Sequence, residues 1–187
     1  VDILELGIPF SDPLADGVVN QEASQRALAK GATVDKILKT IQKIRQMGCA
    51  LPIVLYSYYN PVFHYGLETF IRDARKCGVD GLLNLELPPE EADKYEREMR
   101  KHGLHGIFLV APTSSDERIK KISEKASGFI YYVSREGVTG ERSSMENSIE
   151  SMVKRIRKHS KLPVVVGFGV SKPEHVREIA KVADAVV

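Results

Sequence analysis

Short apolar runs rich in Val, Ile and Leu recur along the chain at Asp2 to Leu6, Leu51 to Ser57, Gly81 to Leu85, Gly106 to Val110, Gly128 to Val133, Pro163 to Gly167 and Ala183 to Val187. Runs of this length, bounded by turn-forming residues, predict buried strands. Between them lie amphipathic, charge-rich stretches at Asp35 to Met47, Leu67 to Cys77, Glu90 to His102, Asp116 to Lys125, Ile149 to His159 and Pro173 to Lys181, and each predicts a helix. Start signals agree: Ser115-Asp116, Ser171-Lys172-Pro173 and Pro88-Pro89-Glu90 put capping groups, proline or acid where first turns should begin. Gly31, Gly48, Gly78 and Gly103 mark the stops.

Strand and helix alternating at a repeat of roughly 25 to 30 residues imply right-handed crossovers and a parallel sheet covered by helices. Continuous parallel alternation favours a β/α barrel over an open doubly wound sheet, and the GxGxxG pattern of a dinucleotide fold is absent. A full barrel has eight strands and about 250 residues. The expected class is therefore α/β, a (βα)8 TIM barrel incomplete in this chain, as a single domain over residues 1–187. Val1 stands inside a strand without an initiating Met, and Val187 stands inside another. Both ends are therefore expected to be cut, one strand and helix missing before Val1 and a phosphate-binding loop with its helix missing after Val187.

Composition narrows the partners. The 187 residues are 43% hydrophobic and 28% charged with a net charge of +2, and acids and bases interleave along the helical stretches, so neither nucleic acid nor a membrane surface is an expected partner. Runs such as Leu162 to Val166 and Gly106 to Ala111 are too short to cross a bilayer, and the first residues lack a signal-peptide layout. A cytoplasmic protein is expected. Cys49 and Cys77 near helix ends are read as buried free thiols, and no Cys/His spacing resembles a zinc site.

In a barrel, chemistry gathers at the C-terminal ends of strands. Glu5 stands in the run Ile3-Leu4-Glu5-Leu6, where alternation points it into the barrel and a carboxylate is costly without a purpose. Pairing with an inward Lys or Arg of another strand would account for it equally well. The loop Gly7 to Gly17 carries Asp12 and Asp16 and is stiffened by Pro9 and Pro13, which suits catalysis. Ser11-Asp12-Pro13 and Asp16-Gly17 also read as ordinary turns. Gly137-Val138-Thr139-Gly140 and Gly167-Phe168-Gly169 follow neighbouring strands, and backbone N–H groups there can cradle phosphate, although such short glycine motifs are more often plain loops.

The blocks ELGIPFSDPLADG (Glu5 to Gly17), LYSYYNPVFHYG (Leu55 to Gly66), LPPEEA (Leu87 to Ala92), LVAPTS (Leu109 to Ser114), YYVSREGVTGER (Tyr131 to Arg142) and GFGVSKPE (Gly167 to Glu174) together resemble the tryptophan synthase alpha chain family, in its order and across the whole chain. The resemblance implies retro-aldol cleavage of indole-3-glycerol phosphate to indole and glyceraldehyde 3-phosphate, in tryptophan biosynthesis. It makes Glu5 and Asp16 the catalytic carboxylates. Asp16 would bond the indole N–H, while Glu5 would protonate C3 and take the proton of the adjacent glycerol hydroxyl. One must stay ionised while the other exchanges protons, and different burial separates them, with Glu5 in the more apolar setting.

It further makes Gly140 and Gly169 phosphate contacts, with Thr139 packing over the substrate on a mobile loop. Tyr58, Tyr131 and Phe168 match aromatic positions lining the indole pocket, where plain core packing is the other reading. The partner implied is the beta chain of an α2β2 assembly, docking on Asp12, Pro13, Asn60, Glu86 and Pro88. Pyridoxal phosphate is expected only in that partner and no cofactor in this chain. Leu85 and Glu86 depart from a usual Pro-Asp, lengthening the acid at the docking face, and Val18 replaces a common Pro, which should loosen the loop behind Asp16. Other readings are a related phosphate-binding barrel, a stand-alone indole-releasing lyase, and a non-catalytic regulatory subunit.

Overall fold

A computed structural model describes residues 1–134, 142–167 and 169–187, with only the backbone of 142–147. The chain divides into two compact units, Val1–Gly106 and Ile107–Val187.

The first unit runs β1 (Leu4–Gly7), α1 (Val18–Ala29), α2 (Val34–Gln46), β2 (Ile53–Ser57), α3 (Tyr59–Tyr65), α4 (Leu67–Cys77), β3 (Gly81–Asn84), a 3-10 turn (Pro89–Glu91) and α5 (Asp93–Lys101). The strands pair in parallel, Glu5 opposite Val54, Gly7 opposite Tyr56, and Tyr56 opposite Leu83. Every residue of β3 and all but Tyr56 of β2 are buried, so these strands are covered on both faces, which is why they read as continuous apolar runs. The cover comes from stripes at helical spacing: Leu38 and Ile41 on α2, Phe70, Ile71 and Ala74 on α4, Tyr95 and Met99 on α5. Each large side chain so buried stabilises by roughly 1.5–3 kcal/mol.

The second unit contains most of β4 (His105–Val110), then α6 (Asp116–Lys125), β5 (Ile130–Val133), α7 (Arg142–His159), β6 (Val164–Gly167), α8 (Pro173–Ile179) and β7 (Ala185–Val186). Its pairs are parallel too: Leu109 with Tyr131, Val133 with Gly167, and Val166 with Val186. Val164, Val165, Val166, Ile130 and Tyr132 form its core with Ile119, Ile122, Val153 and Ile156.

Each unit fastens the N-terminal ends of two strands in the same way. Asp80, just before β3, accepts the N–H of Ile53 at the start of β2 at 2.8 Å and pairs with Arg45 of α2 at 2.6 Å. Asp184, just before β7, accepts the N–H of Val164 at the start of β6 at 2.8 Å and pairs with Arg157 of α7 at 3.0 Å. Arg45 also caps the Gly78 carbonyl at 2.9 Å; Gly78 ends α4 in the left-handed region at φ 95°, and a Cβ there would lie 2.6 Å from Arg45 Cγ.

All seven expected strands are present, and α4 and α6 carry the expected bounds. Ser115 accepts the Arg118 N–H at the start of α6, and Pro173 occupies the first turn of α8. Helix α1 ends just before the stop expected at Gly31, though no span was expected for it; α3 was not foreseen, and α7 begins seven residues before the expected Ile149. Cys49 and Cys77 are free, but half-buried rather than buried, both near the ends of the helices α2 and α4.

Candidate active site

The loop after β1 is folded by its own prolines. Leu14 N–H donates to the Asp12 carbonyl at 2.8 Å and Asp16 N–H to the Pro13 carbonyl at 3.1 Å, so the turn anticipated at Ser11-Asp12-Pro13 is what presents Asp16. Two phenols from the end of β2 then fix the Asp16 carboxylate. Tyr56 donates to Oδ1, and Tyr58 donates to Oδ2 at 3.0 Å while accepting the Ala15 N–H at 2.9 Å. Gln21 of α1 donates to the Asp16 carbonyl at 2.9 Å. The loop is therefore pinned from two sides without a proline at position 18.

The two tyrosines reach Asp16 by different routes. Parallel partners present their side chains on one face, so Glu5, Gly7, Val54 and Tyr56 share a face of the sheet. A Cβ at Gly7 would lie 3.7 Å from Tyr56 Cδ1, so the Tyr56 ring lies close over Gly7. Tyr58 is the residue capping α3; it is 2% exposed and its ring packs against Phe10 at a centroid distance of 5.3 Å. Burial, with the hydrogen bond and negative charge of Asp16, raises both phenols, Tyr58 to about 12 and Tyr56 further, so both stay protonated donors at neutral pH.

Glu5 differs from Asp16. Its side chain is half-buried, burial raises its pKa, and among the described residues no hydrogen bond or ion pair engages its carboxylate. The inward Lys or Arg that could have explained it structurally is absent among the described residues. Its charge is felt by Tyr56, whose pKa it helps to raise.

Around these groups, Asp12 and Asn60 are exposed, and Pro13 and Pro88 half-buried. Glu86 is exposed and its Oε2 accepts the Tyr59 N–H at 3.2 Å, fastening the loop after β3 to the first turn of α3. Leu85 donates its N–H to the Ser57 carbonyl at 3.1 Å.

In the second unit, Tyr131 of β5 is half-buried and stands on the face shared by Val165 and Gly167. A Cβ on Gly167 would overlap the Tyr131 phenol, with Cζ at 2.7 Å, so glycine is what leaves room for that ring. Ser134 is buried and donates to the Gly167 carbonyl from its N–H at 3.1 Å and its hydroxyl at 3.3 Å. Gly169 is exposed at φ 74°, in the left-handed region that favours glycine. Beside it is a shallow hollow formed by Val170, Ser171, Lys172, Pro173 and Val176. Gly137, Thr139, Gly140 and Phe168 lie outside the described residues. Among the described residues there is no cluster of three or more potential metal ligands, and no helix is long and apolar enough to cross a membrane.

Tyr56 is the site residue that sequence reasoning missed. The signal available was its two-residue spacing from Tyr58 at the end of an apolar run, one strand away from Glu5.

Parallel βα steps with titratable groups massed where the strands end, one carboxylate oriented and one left unpaired, define an enzyme of the β/α-barrel class. The family model described as tryptophan synthase alpha chain matches residues 1–187. A tryptophan synthase alpha chain from Opitutus terrae is 54% identical over 187 residues, covering 100% of this chain and 70% of that one. Among solved structures, tryptophan synthase subunit alpha from Legionella pneumophila is 40% identical at a TM-score of 0.89, over 99% of this chain and 68% of that one. The A-subunit from Pyrococcus furiosus is 39% identical at 0.89, over 99% and 74%. The chain belongs to the tryptophan synthase alpha chain family. Its fold is the β/α barrel of that family, with seven strands among the described residues, and its role is that of a lyase in tryptophan biosynthesis.

Proposed function

We propose that the chain catalyses retro-aldol cleavage of indole-3-glycerol phosphate to indole and glyceraldehyde 3-phosphate. The observation that carries this reading is the contrast between the two carboxylates: Asp16 held by two phenols, Glu5 half-buried and unpaired. The reaction needs one fixed anion and one group that trades protons. Asp16 accepts the indole N–H and stabilises the positive charge that develops there as the ring tautomerises. Glu5, with a pKa raised by burial, delivers a proton to indole C3 and receives the proton of the neighbouring glycerol hydroxyl as the carbon–carbon bond breaks. The bonding electrons return to the indole ring, the hydroxyl carbon becomes the aldehyde of the triose phosphate, and Glu5 ends as it began.

Family membership supports the remaining roles. Gly140 and Gly169 offer backbone N–H groups to the phosphate, and Thr139 closes over the substrate. Tyr131 and Phe168 wall the indole; Tyr58, with its ring shielded by Phe10, acts on the indole mainly through Asp16. The reaction is acid–base chemistry and needs no cofactor in this chain. The beta chain of an α2β2 assembly, bearing pyridoxal phosphate, receives the indole and docks on Asp12, Pro13, Asn60, Glu86 and Pro88. Glu86, though longer than the usual Asp, is oriented by its bond to Tyr59 and remains exposed. Cytoplasmic placement accords with a small phosphorylated substrate.

Indole release from indole-3-glycerol phosphate, measured for wild type, Glu5→Gln and Asp16→Asn with and without a beta chain, tests this. Each variant is expected to lose about 100-fold or more, as for removal of a positioned proton-transfer group, and the partner to accelerate the wild type. A folded wild type that releases no indole in either condition overturns the reading; turnover indifferent to the beta chain keeps the lyase and removes the assembly.

A further inference from the structure

Tyr56 stands between the two carboxylates yet serves only one of them. It rises from β2 on the same face as Glu5, lies over Gly7, and directs its phenolic proton to Asp16 Oδ1, while Glu5 accepts no hydrogen bond among the described residues. Tyr58 takes the other oxygen, Oδ2, and also ties the loop backbone through Ala15. Tyr58 thus has a structural task that Tyr56 lacks: no backbone bond to the loop runs through the Tyr56 phenol. With Tyr56 and, at a long 3.5 Å, the Asn20 amide on Oδ1 and Tyr58 on Oδ2, both oxygens are held, the carboxylate cannot rotate, and its free lone pairs keep a single direction. A single phenol would leave rotation about the Cβ–Cγ bond open.

We propose that Tyr56 is a positioning residue of the lyase site, sorting the two carboxylates into their roles by locking Asp16 as the oriented anion and leaving Glu5 unengaged to exchange protons. The proposal rests on the lyase reading above. Removing the phenol should act on turnover more than on substrate capture, because the phosphate and the indole faces are held by other residues while the bond from the indole N–H to Asp16 strengthens as positive charge develops.

The test is steady-state cleavage of indole-3-glycerol phosphate by the full chain in the assembled enzyme, comparing wild type, Tyr56→Phe, Asp16→Asn and the double variant. Tyr65→Phe is the control: this tyrosine also donates to carboxylates, Asp35 at 3.2 Å and Asp73 at 3.3 Å, but away from the site. Tyr56→Phe is expected to lower kcat about 10- to 100-fold, the range for losing a hydrogen bond to a charged group, with KM changed less than about threefold. In the Asp16→Asn background the same change should cost little more, and Tyr65→Phe should match wild type. Ultraviolet titration of the seven tyrosines supplies a readout independent of turnover. Two phenols, Tyr56 and Tyr58, should ionise at lower pH in Asp16→Asn than in wild type, and one of those two transitions should vanish in the double variant.

An active wild type with unchanged kcat in Tyr56→Phe overturns the proposal alone. So does a loss of activity that is equally large with and without Asp16, which would mark a general packing defect. An inactive wild type overturns the lyase reading and the proposal with it, whatever the titration gives.

Discussion

Burial holds Glu5 above the ordinary carboxylate range, so the folded state resists its ionisation more than the unfolded chain does. Above that raised value the group is ionised in both states and folding carries the desolvation cost. As pH falls through it, the folded form takes up its proton first and stability is recovered, down to the unfolded value of about 4.3. Glu5→Gln should therefore melt higher than wild type at pH 7, and the difference should close near pH 4. Each kcal/mol recovered raises the melting temperature by roughly 2–4 °C in a chain of this size. A Gln variant that melts lower at pH 7 would show that the carboxylate has a stabilising partner after all. Glu5 and Asp16 were legible in the sequence because a carboxylate inside an apolar run, or at the tip of a proline-stiffened loop, breaks a pattern. Tyr56 was not, because a tyrosine in a strand completes the pattern; its meaning lies in a bond to a residue 40 positions away.

At the scale of elements, apolar periodicity found what apolar burial builds. Helix α1 buries no residue, so it has no apolar stripe to read; it is made by Ala, Gln, Glu, Arg and Leu, good helix formers, behind the Gly17 cap. Helix α3 contains Pro61, which reads as a breaker but falls at its third position, where the missing N–H has no intrahelical partner to lose. The same logic governs Val18. It is the first residue of α1, no backbone bond is made by its N–H among the described residues, and the preceding Gly17 at φ −72°, ψ 165° is in the region a residue before proline prefers. The loop ahead of it is pinned by Tyr56, Tyr58 and Gln21, so Val18 does not leave it unheld. Val18→Pro should stabilise by about 0.4–1 kcal/mol through the unfolded chain, read as a raised melting temperature. A lowered one would mean that the Val18 N–H or side chain matters to the turn.

Across the whole molecule, chemistry and fastening occupy opposite ends of the strands. Glu5, Asp16, Tyr56 and Tyr58 gather where β1 and β2 finish; the Asp80–Arg45 and Asp184–Arg157 pairs sit where β2, β3, β6 and β7 begin. Asp80→Ala strands the Ile53 N–H and leaves Arg45 with carbonyl partners only, a loss of roughly 1–3 kcal/mol, with turnover per folded molecule unchanged; a drop in kcat would contradict the separation. The Val164 N–H, then Arg157, hold Asp184 below the usual carboxylate range against partial burial. Its contribution is present above the unfolded value of about 3.9 and is lost as pH falls through the lowered folded value. Asp184→Asn should accordingly flatten the acid side of the stability profile, and an unchanged acid limb would show that the pair contributes nothing. Both fastenings are local, each tying one helix to the two strands that follow it, α2 to β2 and β3 and α7 to β6 and β7. A step that carries its own clasp can be copied without redesigning its neighbours, so a chain can grow by repetition while its catalytic loops drift toward new substrates.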